Sequence, residues 1–186
     1  MNFELLSLSW AKAATIKTDA LVVLVGDDQQ REVGLLSSML DQAQKTGDFT
    51  SAAGQCMVWW KPPSLAALRL VLVGVGKGRA IDVRQGVAAG MAALKKSKSQ
   101  TVAVVLQAGH TEHLVVAAQA AADASYVYTA TKPSAKALSF KKITLGVPQA
   151  GAVKGQFNLA KAQMAGVALA REWGNRPANH ATPDPL

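Results

Sequence analysis

The spacing of hydrophobic residues alternates between two patterns along the chain, and each change of pattern marks the start of a new predicted element. Short runs rich in aliphatic and β-branched residues predict strands, and the run at 21–25 predicts a strand buried on both faces. Longer stretches with apolar residues at steps of three and four predict helices with one apolar face. The predicted strands cover residues 3–8, 21–25, 55–60, 68–75, 101–106 and 140–147.

Helices are predicted between several of these strands, each from an apolar stripe. The first covers residues 29–45 and ends at Gly47, because glycine readily adopts the left-handed conformation that stops a helix. The second begins at a capping pair formed by Asp82 and Gln85, and the third is an alanine-rich helix capped by Thr111. The stripes of the first two helices are Val33, Leu36, Leu40 and Ala43, and Val83, Val87, Met91 and Leu94.

The last predicted helix carries an apolar stripe that should pack on the core of the domain. Gly174 should end this helix in the left-handed conformation, and Pro177 cannot donate the hydrogen bond that a further turn needs. Residues 175–186 contain three prolines and almost nothing apolar, so we expect them to run extended and poorly ordered. The stripe consists of Leu159, Ala162, Gly166, Leu169 and Trp173.

The alternation of strands and helices predicts the fold class. Parallel strands need crossover connections, and helices supply them most simply, so we expect an α/β fold with a mostly parallel, mixed sheet sandwiched between helices. A chain of 186 residues with 49% hydrophobic content can bury one sizeable core. We therefore expect one domain over residues 1–174, followed by a linker over 175–186.

Composition narrows the class of protein further. A single cysteine, Cys56, excludes an internal disulfide, and the N-terminus shows no signal-peptide pattern. The longest apolar run, residues 70–75, is far short of the roughly 20 residues that span a bilayer. No membrane association is expected, and the cytoplasm is the expected location.

Charge gives the chain one candidate binding surface. The sequence has 20 basic and 12 acidic residues, a net charge of +8 that favours polyanions. Lysines contact the phosphate backbone without reading bases, so any DNA affinity would depend on salt and not on sequence. A solvated lysine-rich face explains the same pattern without a ligand. The candidate DNA contacts are Lys95, Lys96, Lys98, Lys141 and Lys142.

Three other motifs favour structural interpretations. The glycine-rich segment 73–79 follows a predicted strand, but its spacing matches neither a P-loop nor a dinucleotide-binding fingerprint, so it predicts a tight turn. His110 and His113 supply two imidazoles without a third or fourth metal ligand nearby, which favours a solvated helix start over a metal site. Cys56 lies in an apolar strand and is expected to be a small buried hydrophobic side chain.

The end of the chain carries a resemblance to a known family. Ala170 and Arg171, followed by Asn175, Pro177, Asn179, Thr182, Pro183 and Leu186, spell A-R-x-x-x-N-x-P-x-N-x-x-T-P-x-x-L. This pattern resembles the segment that joins the two domains of the leucyl aminopeptidase (cytosol aminopeptidase) family. The resemblance implies that this chain is the non-catalytic N-terminal domain and that the sequence stops where the catalytic domain would begin.

The resemblance also implies a set of properties for the whole protein. It would be a homohexameric metallo-aminopeptidase that releases N-terminal amino acids from peptides with two divalent metals, zinc, manganese or magnesium. The metal ligands of the family, including an N-T-D-A-E-G-R motif, match no segment here, so no residue of this chain inherits a catalytic or metal-binding role. The role of this domain would then be architectural or regulatory. Some bacterial members of the family bind DNA, which keeps a basic DNA-binding module as the alternative.

The family's N-terminal domain is similar in fold to macrodomains, and residues 18–22 resemble the strand that opens their ADP-ribose pocket. Macrodomains continue with asparagines, whereas this chain has Val23 and Gly26. An aliphatic side chain cannot replace the hydrogen-bonding groups of an amide. We therefore expect a macrodomain-like fold that does not bind ADP-ribose.

Overall fold

A computed structural model describes residues 1–27, 33–132, 134–135 and 137–177 of the chain. The strands in this part are β1 (Asn2–Ser7), β2 (Ala20–Gly26), β3 (Cys56–Trp60), β4 (Arg69–Gly76), β5 (Thr101–Val105) and β6 (Lys142–Val147). The α-helices are α1 (Trp10–Ala13), α2 (Leu35–Lys45), α3 (Ala80–Leu94), α4 (Leu114–Ser125) and α5 (Ala150–Gly174), and a 3₁₀ helix covers Ala108–His113. Each predicted strand is present, with ends that differ by one or two residues.

The strands form one mixed sheet. Their order is β1-β6-β5-β2-β4-β3, and only the β3–β4 pair among these is antiparallel. The parallel connections run through helices, as the alternating pattern requires. The predicted mostly parallel sheet is therefore confirmed, whereas the macrodomain likeness stays a prediction.

The strand β2 shows why both faces of the sheet are covered. All its residues are buried, which confirms the prediction made from its unbroken apolar run. Val22 and Leu24 belong to a hydrophobic cluster with residues of α3, α4 and α5. Leu21 and Val23 belong to a second cluster with residues of α1 and α2. Successive side chains of a strand point to opposite faces, so helices cover the sheet on each side.

The first predicted helix begins later than expected. Leu36, Leu40 and Ala43 are buried on α2, but Val33 is 97% exposed and lies before the helix. Gly34 takes an extended backbone with φ 167° at the helix start, which places Val33 outside the helical stripe. Gly47 has φ +78°, so its predicted role as the stop is confirmed. Residues 29–32 of the predicted helix lie outside the described residues.

Two predicted helix caps are wrong. The helix α3 starts with Arg79 as its cap, and Asp82 lies inside the first turn, where its Oδ2 accepts a hydrogen bond from the Arg79 backbone nitrogen at 3.3 Å. Asp82 therefore caps from within the helix and does not pair with Gln85 at its start. The Thr111 hydroxyl donates backward to the Gln107 carbonyl at 3.3 Å, so it leaves the amides ahead of it uncapped. The α3 stripe of Val83, Val87, Met91 and Leu94 is buried, as predicted.

The predicted orientation of the last helix is also wrong. The buried residues of α5 are Val153, Phe157, Ala160 and Met164, on the helix that packs against α4 and β1. The predicted stripe faces away, with Leu159 61% exposed and Leu169 60% exposed, while Trp173 is half-buried. The helix carries two apolar stripes, and periodicity alone cannot show which one meets the core.

The end of α5 is built differently from the prediction. The helix does end at Gly174, but the left-handed glycine is wrong, because Asn175 caps the helix in a right-handed conformation. The Asn175 backbone nitrogen and its Nδ2 both donate to the Arg171 carbonyl, at 3.0 and 2.8 Å. The side-chain amide of Asn175 thus adds a hydrogen-bond donor for a carbonyl in the last turn of the helix. Of the segment predicted to be extended, residues 178–186 lie outside the described residues.

Candidate functional site

Four of the five candidate DNA contacts form one exposed lysine edge. Lys95, Lys96 and Lys98 lie between α3 and β5, and Lys141 lies directly before β6. The backbone nitrogen of Lys141 donates to the Gln100 carbonyl at 2.8 Å, which joins the two loops. The fifth residue, Lys142, is half-buried and its Nζ lies 2.6 Å from a carboxylate oxygen of Glu4.

The sheet register brings these loops together. β5 and β6 are parallel neighbours with Thr101 opposite Lys142, so the loops that precede both strands meet at the amino-terminal edge of the sheet. The Ser139 hydroxyl donates to the carbonyls of Ser97 and Ser99, at 3.1 and 2.7 Å, and adds a second tie. The edge presents ammonium groups that can contact phosphates in any sequence.

The glycine-rich segment forms the predicted tight turn. Gly76 and Gly78 have φ +49° and +72°, and the Gly78 nitrogen donates to the Val75 carbonyl at 2.8 Å. A Cβ on Gly78 would lie 2.1 Å from Cε1 of His110. The glycine is therefore required both by its backbone conformation and by the close approach of the imidazole.

Backbone fills the space at the carboxyl end of β4, where open α/β sheets commonly bind ligands. A Cβ on Gly74 would lie 2.1 Å from the Ala52 carbonyl oxygen. The Gly54 nitrogen donates to the Gly74 carbonyl at 2.9 Å, and the Gly74 nitrogen donates to the Gln55 carbonyl at 2.8 Å. The segment before β3 thus lies directly on the strand end, which supports the structural interpretation of this turn.

Asp19, in the segment that resembles macrodomains, has a structural role at the opposite edge. Its Oδ2 accepts hydrogen bonds from the backbone nitrogens of Gln100 and Thr101, at 2.8 and 2.9 Å. Burial raises the pKa of this carboxyl, but the hydrogen bonds from Thr101 and Gln100 outweigh it and hold the pKa below its usual value. The carboxylate fixes the loop that leads into β5.

The two histidines have different surroundings. His110 is 6% exposed, and its two ring nitrogens are buried without a hydrogen-bond partner among the described residues. Nε2 of His113 instead lies 3.3 Å from a carboxylate oxygen of Glu112. Within the described ranges, no three histidine, cysteine or acidic side chains are grouped so that they could hold a metal ion. The prediction of a solvated helix start is wrong for His110, because Gly78 covers its ring.

Burial lowers the pKa of the His110 imidazole, because the charged form loses its water.

Cys56 is half-buried on β3, against the expectation of full burial, because β3 is the end strand of the sheet and has a neighbour on one side only. Burial raises the pKa of its thiol, so the reactive thiolate is disfavoured.

A polar network that the sequence did not predict holds the end of α5 on the domain. Asp123 of α4 accepts from Arg84 of α3 and from Arg171 of α5, each at 2.8 Å. The Tyr126 hydroxyl donates to Glu172 at 3.3 Å, and the Arg171 guanidinium lies 5.5 Å from the centre of the Tyr126 ring. Nothing local in the sequence signals these pairs, because their members come from three separate helices.

The same residues line a groove of about 890 Å³ between the end of α4, α5 and the start of β1. Its apolar lining includes Phe3, Ala122, Met164 and Ala168, and the ion pairs of Asp123 lie beside it. The helix α5 leaves Leu159 and Leu169 exposed, and Leu169 also lines this groove. Among the described residues, three of the nine exposed large hydrophobic side chains lie on α5: Leu159, Val167 and Leu169.

None of the helices in the described ranges has the length and apolar content needed to cross a membrane.

Comparison with known proteins identifies the domain. Residues 22–135 match the family model described as "Cytosol aminopeptidase family, N-terminal domain". A probable cytosol aminopeptidase of Acidovorax sp. strain JS42 is 45% identical over 184 residues, which are 98% of this chain and 37% of that protein. One from Verminephrobacter eiseniae is 42% identical over 187 residues, which are 100% of this chain and 36% of that protein.

Solved structures show the same fold at lower identity. A mutant of tomato leucine aminopeptidase is 21% identical with a TM-score of 0.76 and covers 98% of this chain and 40% of its own. The bottromycin maturation enzyme BotP in complex with Mn is 22% identical with a TM-score of 0.60 and covers 89% of this chain and 34% of its own. The chain thus spans little more than a third of these proteins. It belongs to the cytosol aminopeptidase family, of which it is the N-terminal domain.

Proposed function

We propose that this chain is the non-catalytic, architectural domain of a metal-dependent leucyl aminopeptidase that releases N-terminal amino acids from peptides. One observation carries the proposal: the chain aligns along 98% of its length with only 37% of a probable cytosol aminopeptidase. The remainder of such a protein would hold two divalent metals, zinc, manganese or magnesium. Metals in such pairs polarise the scissile carbonyl and activate a water molecule.

The fold suggests how this domain joins the rest of the protein. We propose that residues 1–174 form the domain and that residues 175–186 begin the linker to the catalytic domain. Residue 174 is the last of α5, a helix about 37 Å long by its 25 residues. Such a helix fixes the direction in which the chain leaves the domain. In the whole protein, a cytoplasmic homohexamer, the domain would support the subunit and limit access to the catalytic sites.

The experiment joins this chain at Leu186 to the part of the Acidovorax JS42 relative that lies C-terminal to the matched region. We expect this joined protein to hydrolyse leucine p-nitroanilide with manganese and to have a higher thermal midpoint than the relative's C-terminal part alone. Light scattering should find a hexamer for the joined protein and a monomer or weak dimer for the 186-residue chain. A stable hexamer of the short chain, or equal midpoints, would contradict the architectural role.

A second candidate function, DNA binding, is favoured by the lysine edge. Four exposed lysines there could each contact a phosphate, and each contact contributes about −0.9 to the slope of log affinity against log salt. Four contacts predict a loss of about 150-fold in affinity between about 50 and 200 mM salt. The half-buried Lys142 contributes less, because it is already paired with Glu4.

Fluorescence anisotropy with a labelled DNA duplex tests this candidate. Replacing Lys95, Lys96, Lys98 and Lys141 with glutamine should abolish the salt-dependent affinity. The matched control replaces four exposed lysines elsewhere with glutamine, so the net charge changes equally; they are Lys12, Lys45, Lys77 and Lys154. Equal losses in both variants would show that net charge, and not this edge, attracts the DNA.

A further inference from the structure

The ring of Trp60 is an exposed aromatic surface at the end of the edge strand β3. It is 58% exposed, whereas Val58 and Trp59 before it on the same strand are half-buried. Arg69 of β4 lies opposite Trp60 in the sheet register, and its guanidinium carbon is 5.1 Å from the centre of the ring. A cation within about 6 Å of an aromatic face is attracted to it. Arg69 therefore holds the ring in place while more than half of the residue stays in water.

The same arginine connects the ring to the lysine edge. Nη1 of Arg69 donates to Oγ of Ser99 and to the carbonyl oxygen of Asp19, each at 3.3 Å. Ser99 directly follows Lys98 in the chain. One guanidinium group thus bridges the Trp60 ring and the loop that carries three of the four lysines of the lysine edge.

The order of the strands places the ring and the lysines along one edge of the sheet. Because β3 is antiparallel to β4, its last residue, Trp60, lies at the amino-terminal edge, where β5 and β6 begin. From β5 to β3 there are three strand spacings, which is about 14 Å. A nucleic acid strand that is stacked as in a duplex has a phosphate about every 3.4 Å, so about four nucleotides cover this distance. One strand can therefore contact the ring and the lysine edge together.

The charges along this row suit a polyanion. Lys61 directly follows Trp60, Lys17 precedes β2, and both side chains are exposed. An acidic residue, Asp19, also lies in the row, but its Oδ2 accepts hydrogen bonds from the backbone nitrogens of Gln100 and Thr101. Its carboxylate is directed at the backbone, so the exposed ammonium groups are the charges that a phosphate would meet first.

An exposed ring beside lysines favours a single strand over a duplex. The bases of a duplex stack on one another and leave no face open to a protein ring. Each base of a single strand has a free face, and stacking on an aromatic side chain tolerates any base. We infer that Trp60 is the stacking platform for one base of a single-stranded nucleic acid whose phosphates contact the lysine edge. This inference rests on the second candidate function, DNA binding at the same edge.

Fluorescence anisotropy with strands that differ only in their bases tests the stacking. The probes are a thymidine strand of about 12 nucleotides, a strand of equal length without bases, and a duplex of equal length. The 186-residue chain should bind the thymidine strand about 5- to 150-fold more tightly than the strand without bases, the usual contribution of one stacked base. Trp60→Ala should remove this difference and leave the affinity for the duplex unchanged.

Three further variants at exposed positions show whether the flat ring is what matters. Trp60→Tyr keeps an aromatic face and should retain most of the affinity for the thymidine strand. Trp60→Leu keeps an apolar side chain without such a face, so it should lose as much affinity as Trp60→Ala and keeps the test valid if that variant is unstable. Leu68→Ala, at a side chain that is 51% exposed in the same hairpin, should change nothing.

The salt dependence separates the ring from the lysines. Each phosphate contact with a single strand contributes about −0.7 to the slope of log affinity against log salt, so four contacts predict a slope of about −2.8. Trp60→Ala should lower the affinity for the thymidine strand at every salt concentration without changing this slope. Replacing the four lysines of the lysine edge with glutamine should instead flatten it.

The outcomes separate this inference from the second candidate function. If the lysine variant loses affinity for the duplex but Trp60→Ala binds the thymidine strand as the parent does, the stacking platform is wrong and DNA binding stands. Equal losses of Trp60→Ala on strands with and without bases would also overturn it. No affinity of the parent for any probe at about 50 mM salt would overturn both.

A uridine strand of the same length identifies the kind of nucleic acid. RNA and DNA strands offer the same phosphates and base faces, so both should bind and both should lose affinity in Trp60→Ala. The strand that the parent binds more tightly is the ligand that the edge prefers. A uridine strand whose affinity does not depend on Trp60, while that of the thymidine strand does, would restrict the inference to DNA.

Discussion

Two alanine substitutions two positions apart distinguish the sides of α5. Phe157 is 5% exposed in the structure, whereas Leu159 is 61% exposed. The sequence pattern alone had placed Leu159 toward the core. In the observed orientation Phe157→Ala should destabilise the domain more than Leu159→Ala, and in the opposite orientation the order would be reversed. Both variants introduce alanine into the same helix.

The expected difference comes from the buried area. A buried phenylalanine removes at least about 150 Å² from water, which at about 25 cal/mol per Å² is worth about 4 kcal/mol. Phe157→Ala should lower the free energy of unfolding by about that amount, within the usual range for such substitutions. Leu159 has little area to lose, and alanine is the better helix former, so its replacement should cost less than about 1 kcal/mol.

Urea unfolding followed by circular dichroism measures both variants against the parent chain. With a slope of about 2 kcal/mol per molar urea, a difference of about 3 kcal/mol separates the two midpoints by about 1.5 M. Equal midpoints, or a larger loss for Leu159→Ala, would refute the orientation of α5.

Two further predictions concern the turn above His110. Gly78→Ala should lower the free energy of unfolding by about 2 to 4 kcal/mol, because φ is +72° and the new Cβ would lie 2.1 Å from the imidazole. Gly155→Ala is the control, because nothing lies within 4 Å of its new Cβ. It should stabilise the chain by about 0.5 to 1 kcal/mol in the same urea assay. His110 has a lowered pKa when folded and an ordinary pKa near 6.5 when unfolded, so the unfolded chain binds the proton first and stability falls as the pH drops below about 6.5. Urea midpoints at about pH 7.5 and 5.5 should fall less for His110→Leu than for the parent, and an equal fall would contradict the role of this imidazole.

The strands were predictable from the sequence because their signal is local. The apolar run in β2 reports burial on both faces without reference to any other segment, and the observed strand, Ala20–Gly26, agrees closely. The α3 stripe was predictable for the same reason. The basic runs at 95–98 and 141–142 were visible too, but their meeting depends on the register of β5 against β6. Register is a property of strand pairs and cannot be predicted from the sequence of either strand alone.

The orientation of α5 and its network could not be predicted, since both depend on distant partners. Periodicity shows that a helix has an apolar stripe, but α5 has two stripes, and only its packing against α4 and β1 selects between them. The ion pairs of Asp123 join residues 39 and 48 positions apart along the chain, from 84 and 171 to 123. Local cap preferences likewise failed at Thr111, because a hydroxyl can donate backward as readily as it accepts.

The most direct test of the central claim is hydrolysis of leucine p-nitroanilide by the 186-residue chain alone. We expect no hydrolysis above the buffer rate with zinc, manganese or magnesium, because the proposed function assigns the catalytic groups to the part of the protein beyond this domain. Hydrolysis that depends on added metal and is abolished by a chelator would contradict it.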